Sequence, residues 1–167
     1  RVIGKLAGFT VLFLDILKGW ISVKLLTLYI IQYSPYSDAY INMQLLIGIT
    51  AVLGHVFPIY EQFQGGKGVA TLMGIILAIN FSAAIGCVVI FLAIFLFTNY
   101  VSLGAMVAAF FFPVITIFII KAESPALIYF SIFIAVLVIV THKKNISRLL
   151  INQENKMQIK FRKNKTD

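Results

Sequence analysis

Residues 69–97, VATLMGIILAINFSAAIGCVVIFLAIFLF, contain no Asp, Glu, Lys or Arg, and residues 101–120, VSLGAMVAAFFFPVITIFII, follow after a short polar turn. Apolar runs of this length, without alternating polar residues, are typical of segments surrounded by lipid. The chain of 167 residues is 60% hydrophobic and 12% charged, with a mean hydropathy of +0.98. Soluble domains carry about twice that share of charge. We therefore predict one all-α, polytopic membrane domain over residues 1–167.

Six stretches of the chain predict helices that cross the bilayer: residues 5–31, 41–59, 69–79, 83–97, 101–120 and 126–140. The third and fourth are short for a crossing of about 20 residues, and they could instead form one span that contains Asn80 and Ser82. The preference of Lys and Arg for the cytoplasm decides between these topologies. Eight of the fourteen Lys and Arg residues lie between Lys143 and Lys165, which predicts a basic cytoplasmic tail over residues 142–167. Six crossings then return Arg1 to the cytoplasm.

This topology gathers the polar sequence on one side of the membrane. Six crossings bring the densest polar segments to the cytoplasmic face: Arg1 and residues 61–68, 98–102 and 142–148. A one-sided site favours an enzyme at the membrane surface over a transport path, which needs polar groups near the bilayer midplane. The charge of the tail indicates contact with anionic membrane lipids. Nucleic-acid binding is not predicted, because the sequence has no basic patch interleaved with aromatic residues.

Gly65, Gly66, Lys67 and Gly68 form the most informative polar stretch. Glycines let backbone N–H groups approach an anion closely, and the lysine and the following helix N-terminus add positive charge. The stretch is not a Walker A loop, because Glu61 stands where that motif requires its first glycine. A plain interfacial turn with a lysine that reaches into the headgroups is the alternative.

Two charged residues lie inside the first predicted span. Asp15 and Lys18 are three residues apart, so they can pair on one helix face and serve as structural support. His55 ends the second helix near the polar face, where a hydrogen-bonded packing role is expected. No second histidine or cysteine stands at metal-ligand spacing, so no metal site and no cofactor are predicted.

Further polar residues flank the last two apolar runs. His142, Asn145 and Arg148 recur every three residues, so they lie along one side of a helix that leaves the membrane. They form either a basic helix end or a polar edge that faces a phosphorylated substrate. Asn99 and Ser102 lie at the turn before the fifth helix, where one of them is expected to be its N-cap. Contact with a substrate is the alternative.

Several stretches together carry a resemblance to a known family. The chain resembles the bacterial acyl-phosphate-dependent glycerol-3-phosphate acyltransferases of the PlsY type. The matching stretches occur in the family's order: DILKG at 15–19, GHVFP at 54–58, GGKGVAT at 65–71, YVSL at 100–103, HKKNI at 142–146 and RLL at 148–150. The block over residues 54–71 is the most specific of them.

The resemblance implies a reaction, a topology and a set of site residues. Family members transfer a fatty acyl group from acyl phosphate to the 1-hydroxyl of sn-glycerol 3-phosphate, without a cofactor, at the cytoplasmic side of the bacterial inner membrane. They have seven membrane helices, with the N-terminus outside. The implied phosphate-binding residues are Gly65, Gly66, Lys67 and Gly68, and the implied catalytic residues are Arg1, Lys67, Ser102, His142 and Asn145.

Two departures from the family pattern bear on these expectations. The family's first motif, with a serine and an asparagine of the site, would precede Arg1, so a polypeptide that starts there could be inactive. Gln64 replaces a basic residue, which is expected to weaken phosphate binding. A small anion transporter and a non-catalytic membrane subunit are the rival readings, although no internal repeat supports the transporter.

Overall fold

The computed structural model describes residues 5–29 and 37–157, and the side chains within them except those of residues 5 and 26–29. All regular structure in these two ranges is helical. Seven α-helices follow one another: α1 (Lys5–Tyr29), α2 (Asp38–Val56), α3 (Val69–Ile79), α4 (Phe81–Thr98), α5 (Val101–Val114), α6 (Pro125–Thr141) and α7 (Lys143–Leu150). A 3₁₀ turn (Ile59–Glu61) follows α2, and a π-helical turn (Ile115–Ile119) follows α5.

Local capping explains where several helices begin. The hydroxyl of Ser37 accepts a hydrogen bond from the Tyr40 N–H at 3.3 Å and caps α2. Asn80 has extended backbone angles, φ −147° and ψ 102°, and its side-chain oxygen accepts from the Ala83 N–H at 2.9 Å. Asn80 therefore both ends α3 and caps α4, so residues 69–97 form two helices, in agreement with the favoured topology.

Helix length and hydropathy confirm an all-α, multi-pass membrane protein. Within the described residues, four segments are long and apolar enough to cross a bilayer: Leu6–Leu25, Asp38–Glu61, Phe81–Thr98 and Val101–Ile119. The pair α6 and α7, bent by 59° at His142, makes a fifth if it is counted as one span. The 11 residues of α3 extend about 16 Å, roughly half of the hydrocarbon core. A sixth crossing therefore stays a prediction.

Close packing places the short helix α3 inside the bundle. Six of its eleven residues are buried, and it contacts α1, α2 and α4. A β-carbon at Gly74 of α3 would overlap the carbonyl oxygen of Ile16, and one at Gly19 of α1 would overlap the carbonyl oxygen of Thr71. Glycine at both positions lets the two backbones touch, as in other membrane helix pairs. The loop before α3 is thereby held at one end of the bundle.

Candidate active site

Three segments that are distant in sequence meet at one end of the bundle: the loop before α3, the turn between α4 and α5, and the residues around α7. The hydroxyl oxygen of Thr141 lies 3.3 Å from the carbonyl oxygen of Lys67. The hydroxyl of Ser102 donates to a carboxylate oxygen of Glu154 at 2.8 Å. The structure therefore brings these three polar segments together at one end, whereas Arg1 lies outside the described residues.

Backbone hydrogen bonds connect the glycine loop, residues 62–68, to the end of α2. The Gly65 N–H donates to the carbonyl of Val56 at 3.1 Å, and the Gly66 N–H donates to the carbonyl of His55 at 3.3 Å. These two N–H groups are used within the protein. In this structure they hold the loop, and phosphate binding by Gly65 and Gly66 stays a prediction.

The positive end of α3 lies just beyond these two glycines. Gly68 is the N-cap of the helix at φ +80°, a conformation that strains residues with a β-carbon. The first N–H groups of an α-helix have no intrahelical acceptor, and the helix dipole adds partial positive charge there. This helix N-terminus, with Lys67 directly before it, is the part of the stretch that can hold a phosphate.

The Lys67 side chain is exposed beside this helix end, and the charges of Glu154 and Arg148 both affect its pKa. The pKa of Lys67 is lowered overall. Desolvation is the largest cause, the carboxylate of Glu154 opposes it, and the guanidinium of Arg148 adds to it. The loop lysine and the C-terminal segment therefore belong to one electrostatic site. An anion at this place meets a cationic side chain and a helix N-terminus together.

His142 occupies the bend between α6 and α7 and is only 2% exposed. Its Nδ1 lies 2.8 Å from the carbonyl oxygen of Val138. Because a carbonyl only accepts, Nδ1 must carry a hydrogen, which leaves Nε2 as the basic nitrogen of the neutral ring. The fold thus sets both the orientation and the tautomer of this histidine.

Glu154 connects the predicted site residues of two segments. Its side chain is 6% exposed and accepts hydrogen bonds from Ser102 at 2.8 Å, from Asn145 at 2.6 Å and from Nε of Arg148 at 2.7 Å. Because the amide nitrogen of Asn145 is used in this way, its oxygen faces elsewhere. That buried oxygen has no hydrogen-bond partner among the described residues, so it is an unsatisfied acceptor within the site.

Glu154 was missed by the sequence analysis, although one signal pointed to it. It is the single acidic residue among the basic residues from Lys143 to Lys165. Burial alone would raise the pKa of this carboxyl, but the hydrogen bonds from Arg148, Asn145 and Ser102 outweigh burial and lower the pKa to about 2. The carboxylate is therefore a charged, structural centre of the site.

This pKa predicts a specific loss of stability in acid. The pKa of Glu154 falls from 4.5 in its ordinary state to about 2 in the folded protein, so the folded state favours the charged form. The stabilisation is fully present above about pH 4.5 and is lost as the pH falls towards 2. We expect the melting temperature in detergent to drop over this pH window, and to drop less in Glu154→Gln, which is already less stable at pH 7.

Glu61→Gln is the matched control for that measurement. Glu61 is an exposed carboxylate in the 3₁₀ turn, so its replacement should leave the pH profile of the wild-type protein in place. Equal pH dependence in the wild-type protein and in Glu154→Gln would show that Glu154 does not cause the loss.

The segment after α7 closes back over the α4–α5 turn. The Met157 N–H donates to the carbonyl of Asn99 at 2.9 Å, and the ammonium of Lys156 lies 5.3 Å from the ring centre of Tyr100. Asn99 is the C-cap of α4 at φ 61°, Tyr100 is at the N-cap position of α5, and Ser102 lies within α5, so the expectation that Asn99 or Ser102 is the N-cap is wrong. The first half of the predicted basic tail is thus folded against the site.

Asp15, Lys18 and His55 form a second polar cluster beside the glycine loop. The Lys18 ammonium lies 3.2 Å from Oδ1 of Asp15, so the expected pair is present, and it lies 2.9 Å from Nδ1 of His55. The structure therefore joins the predicted pair of Asp15 and Lys18 to His55.

Comparison with known proteins places this arrangement in a family. Residues 1–152 match the family model described as glycerol-3-phosphate acyltransferase. The glycerol-3-phosphate acyltransferase of Fusobacterium nucleatum subsp. nucleatum is 39% identical over 158 residues, which cover 95% of this chain and 76% of that protein. The enzyme of that name from Staphylococcus aureus (strain Newman) is 37% identical over 159 residues, covering 95% and 77%.

Two crystal structures share the fold. Both are of PlsY (YgiH), an integral membrane glycerol 3-phosphate acyltransferase, in its glycerol 3-phosphate form and in its lysophosphatidic acid form. Each is 32% identical to this chain and covers 95% of it, with TM-scores of 0.79 and 0.78, and this chain covers 74% and 76% of them. With a family match over most of its length and relatives above 30% identity, the chain belongs to the glycerol-3-phosphate acyltransferase family of PlsY type.

Proposed function

We propose that this protein transfers a fatty acyl group from acyl phosphate to the 1-hydroxyl of sn-glycerol 3-phosphate, producing lysophosphatidic acid and inorganic phosphate. The observation that carries the proposal is the meeting of Lys67, Ser102, His142 and Asn145 at one end of the bundle, around the N-terminus of α3. The family match supports the same reaction.

The chemistry needs positioning and charge neutralisation more than a covalent intermediate. The hydroxyl oxygen attacks the acyl carbonyl carbon, the bond from that carbon to the phosphate oxygen breaks, and phosphate leaves with its electron pair. Phosphate is already a good leaving group. The enzyme must bring two anionic molecules together and aim the hydroxyl at the carbonyl.

Lys67 and the N-terminus of α3 are proposed to hold the phosphate of glycerol 3-phosphate. Cationic side chains and free helix N–H groups together make a charge-assisted anion site. Arg148 adds a positive charge nearby, although Glu154 already occupies its Nε. The loop lies at the end of the bundle, so the chain of acyl phosphate can remain in lipid while its head group lies beside the bound glycerol 3-phosphate.

His142 and Asn145 are proposed to position the attacking hydroxyl. Nε2 of His142 and the unpaired oxygen of Asn145 are both acceptors, and both residues are buried. The hydroxyl proton then moves to Nε2 or to a phosphate oxygen of the substrate.

We place the site on the cytoplasmic side of the bacterial inner membrane. Support comes from the basic residues that share this end of the bundle: Lys67, Lys143, Lys144, Arg148 and Lys156. Cytoplasmic segments carry such an excess of Lys and Arg.

One assay tests reaction, donor and orientation together. The full-length protein is reconstituted into vesicles of known sidedness, with glycerol 3-phosphate outside and either acyl phosphate or acyl-CoA as donor. We expect lysophosphatidic acid from acyl phosphate alone, and only in vesicles whose basic end faces outward. Product from acyl-CoA alone would contradict acyl phosphate as the donor. Activity only in vesicles whose basic end faces inward would contradict the proposed orientation, and no product in any vesicle would contradict the proposed function.

A further inference from the structure

The cluster of Asp15, Lys18 and His55 lies outside the proposed reaction, and at its centre is a partly buried histidine ring. The His55 side chain is 15% exposed, and its Nδ1 lies 2.9 Å from the Lys18 ammonium and 3.4 Å from Oδ1 of Asp15. Charged groups on apolar helices are costly unless they are paired, so this cluster needs a physical reason.

The contacts of Lys18 determine how the ring is protonated. An ammonium group can only donate hydrogen bonds, so Nδ1 of His55 is its acceptor. The ring is then neutral and carries its hydrogen on Nε2. Asp15 holds Lys18 in place from the same helix at 3.2 Å. The two residues of α1 therefore set the orientation and the tautomer of a histidine on α2.

The opposite edge of that ring touches the glycine loop. A β-carbon at Gly66 would overlap Nε2 of His55, and the Gly66 N–H donates to the His55 backbone carbonyl at 3.3 Å. His55 therefore contacts Gly66 through both its side chain and its backbone. Lys67 is the next residue, so any shift of Gly66 moves the lysine and the N-terminus of α3.

Helix α1 is also locked to α3 directly. Gly19 of α1 lies against the backbone of Thr71, and Gly74 of α3 lies against the backbone of Ile16. Residues 15–19 of α1 therefore pack on the first turns of α3. The cluster thus joins three parts that must keep their relative places for an anion to bind: α1 with its ion pair, α2 with the ring, and the loop that leads into α3.

We propose that His55 is a positioning residue, oriented by Asp15 and Lys18, which supports Gly66 and thereby places Lys67 and the α3 N-terminus for the substrate phosphate. This inference rests on the proposed function. It assigns to a charged pair within α1 a role in substrate affinity, at a distance from the reacting groups.

A double-mutant cycle between His55→Ala and Gly66→Ala tests the contact. In the wild-type background, the added methyl group pushes the loop off the ring, so Gly66→Ala should raise the KM for glycerol 3-phosphate by about tenfold and leave the KM for acyl phosphate within about twofold. In the presence of His55→Ala, the methyl group has room, so Gly66→Ala should add about twofold or less. His55→Gln, which keeps an amide near the Nε2 position, should restore part of the affinity lost in His55→Ala.

Gly54→Ala is the matched control, because a β-carbon there meets nothing within 4 Å although it adjoins His55 in sequence. A role for His55 in folding alone would reduce the amount of active protein without changing KM. That result, or equal effects of Gly66→Ala in the two backgrounds, would overturn the inference while wild-type turnover remains. Absence of wild-type turnover would instead overturn the proposed function.

Discussion

Replacing His142 by alanine is expected to lower turnover by about 100-fold in the full-length protein, because a buried acceptor that aims the hydroxyl is lost. The ring also holds the bend between α6 and α7 through its hydrogen bond to Val138. Turnover and both KM values should be measured with acyl phosphate and glycerol 3-phosphate varied in turn. Unchanged turnover together with unchanged affinity would contradict the assignment.

Two further variants show what His142 contributes. His142→Asn can keep a donor to the Val138 carbonyl but has no Nε2. Activity near that of the wild-type protein would show that Nε2 is not needed and that a substrate phosphate oxygen takes the proton. Activity as low as in His142→Ala would show that Nε2 is needed, either to orient the hydroxyl or to take its proton. Ser147→Ala is the matched control, since Ser147 is exposed on α7 and donates only to the Lys143 carbonyl.

Replacing Lys67 by alanine is expected to raise the KM for glycerol 3-phosphate by roughly 10- to 100-fold, the loss typical of one or two charge-assisted hydrogen bonds. The KM for acyl phosphate should change much less, because the proposed anion site at the α3 N-terminus is assigned to the acceptor substrate. Steady-state kinetics with both substrates varied provide the measurement.

Control variants distinguish local charge from net charge. Lys144→Ala removes the same charge from an exposed position on α7 and should leave both KM values near those of the wild-type protein. Lys67→Arg keeps the charge with a different shape and should recover part of the affinity. An effect of Lys67→Ala confined to acyl phosphate would assign the lysine to the other substrate.

Much of the secondary structure was predictable because its causes are local. The predicted helix over residues 69–79 coincides with α3, and the other predicted bounds lie within a few residues of the observed ones. The stretch 101–120 differs, because α5 ends at Val114 and a π-helical turn follows Pro113, whose ring nitrogen cannot donate to the preceding turn. Pattern alone does not show how the backbone adjusts to that proline.

The loop residues show where local reasoning stopped. The glycines and lysine at 65–68 indicated an anion site from their composition. Which N–H groups remain for an anion depends on the end of α2, whose carbonyls take those of Gly65 and Gly66. Acceptors supplied by another helix leave no trace in the spacing of the glycines themselves.

The sequence by itself determined the environment and the candidate groups. Apolar runs require lipid whatever their neighbours are, and the distribution of Lys and Arg predicts which ends face the cytoplasm, because both effects act on each segment separately. Only the tertiary structure joined Ser102 to Glu154 across 52 residues, and Lys18 to His55 across 37. Such pairings depend on which helix ends meet when the bundle packs, and that is decided by glycine contacts and side-chain shapes between helices.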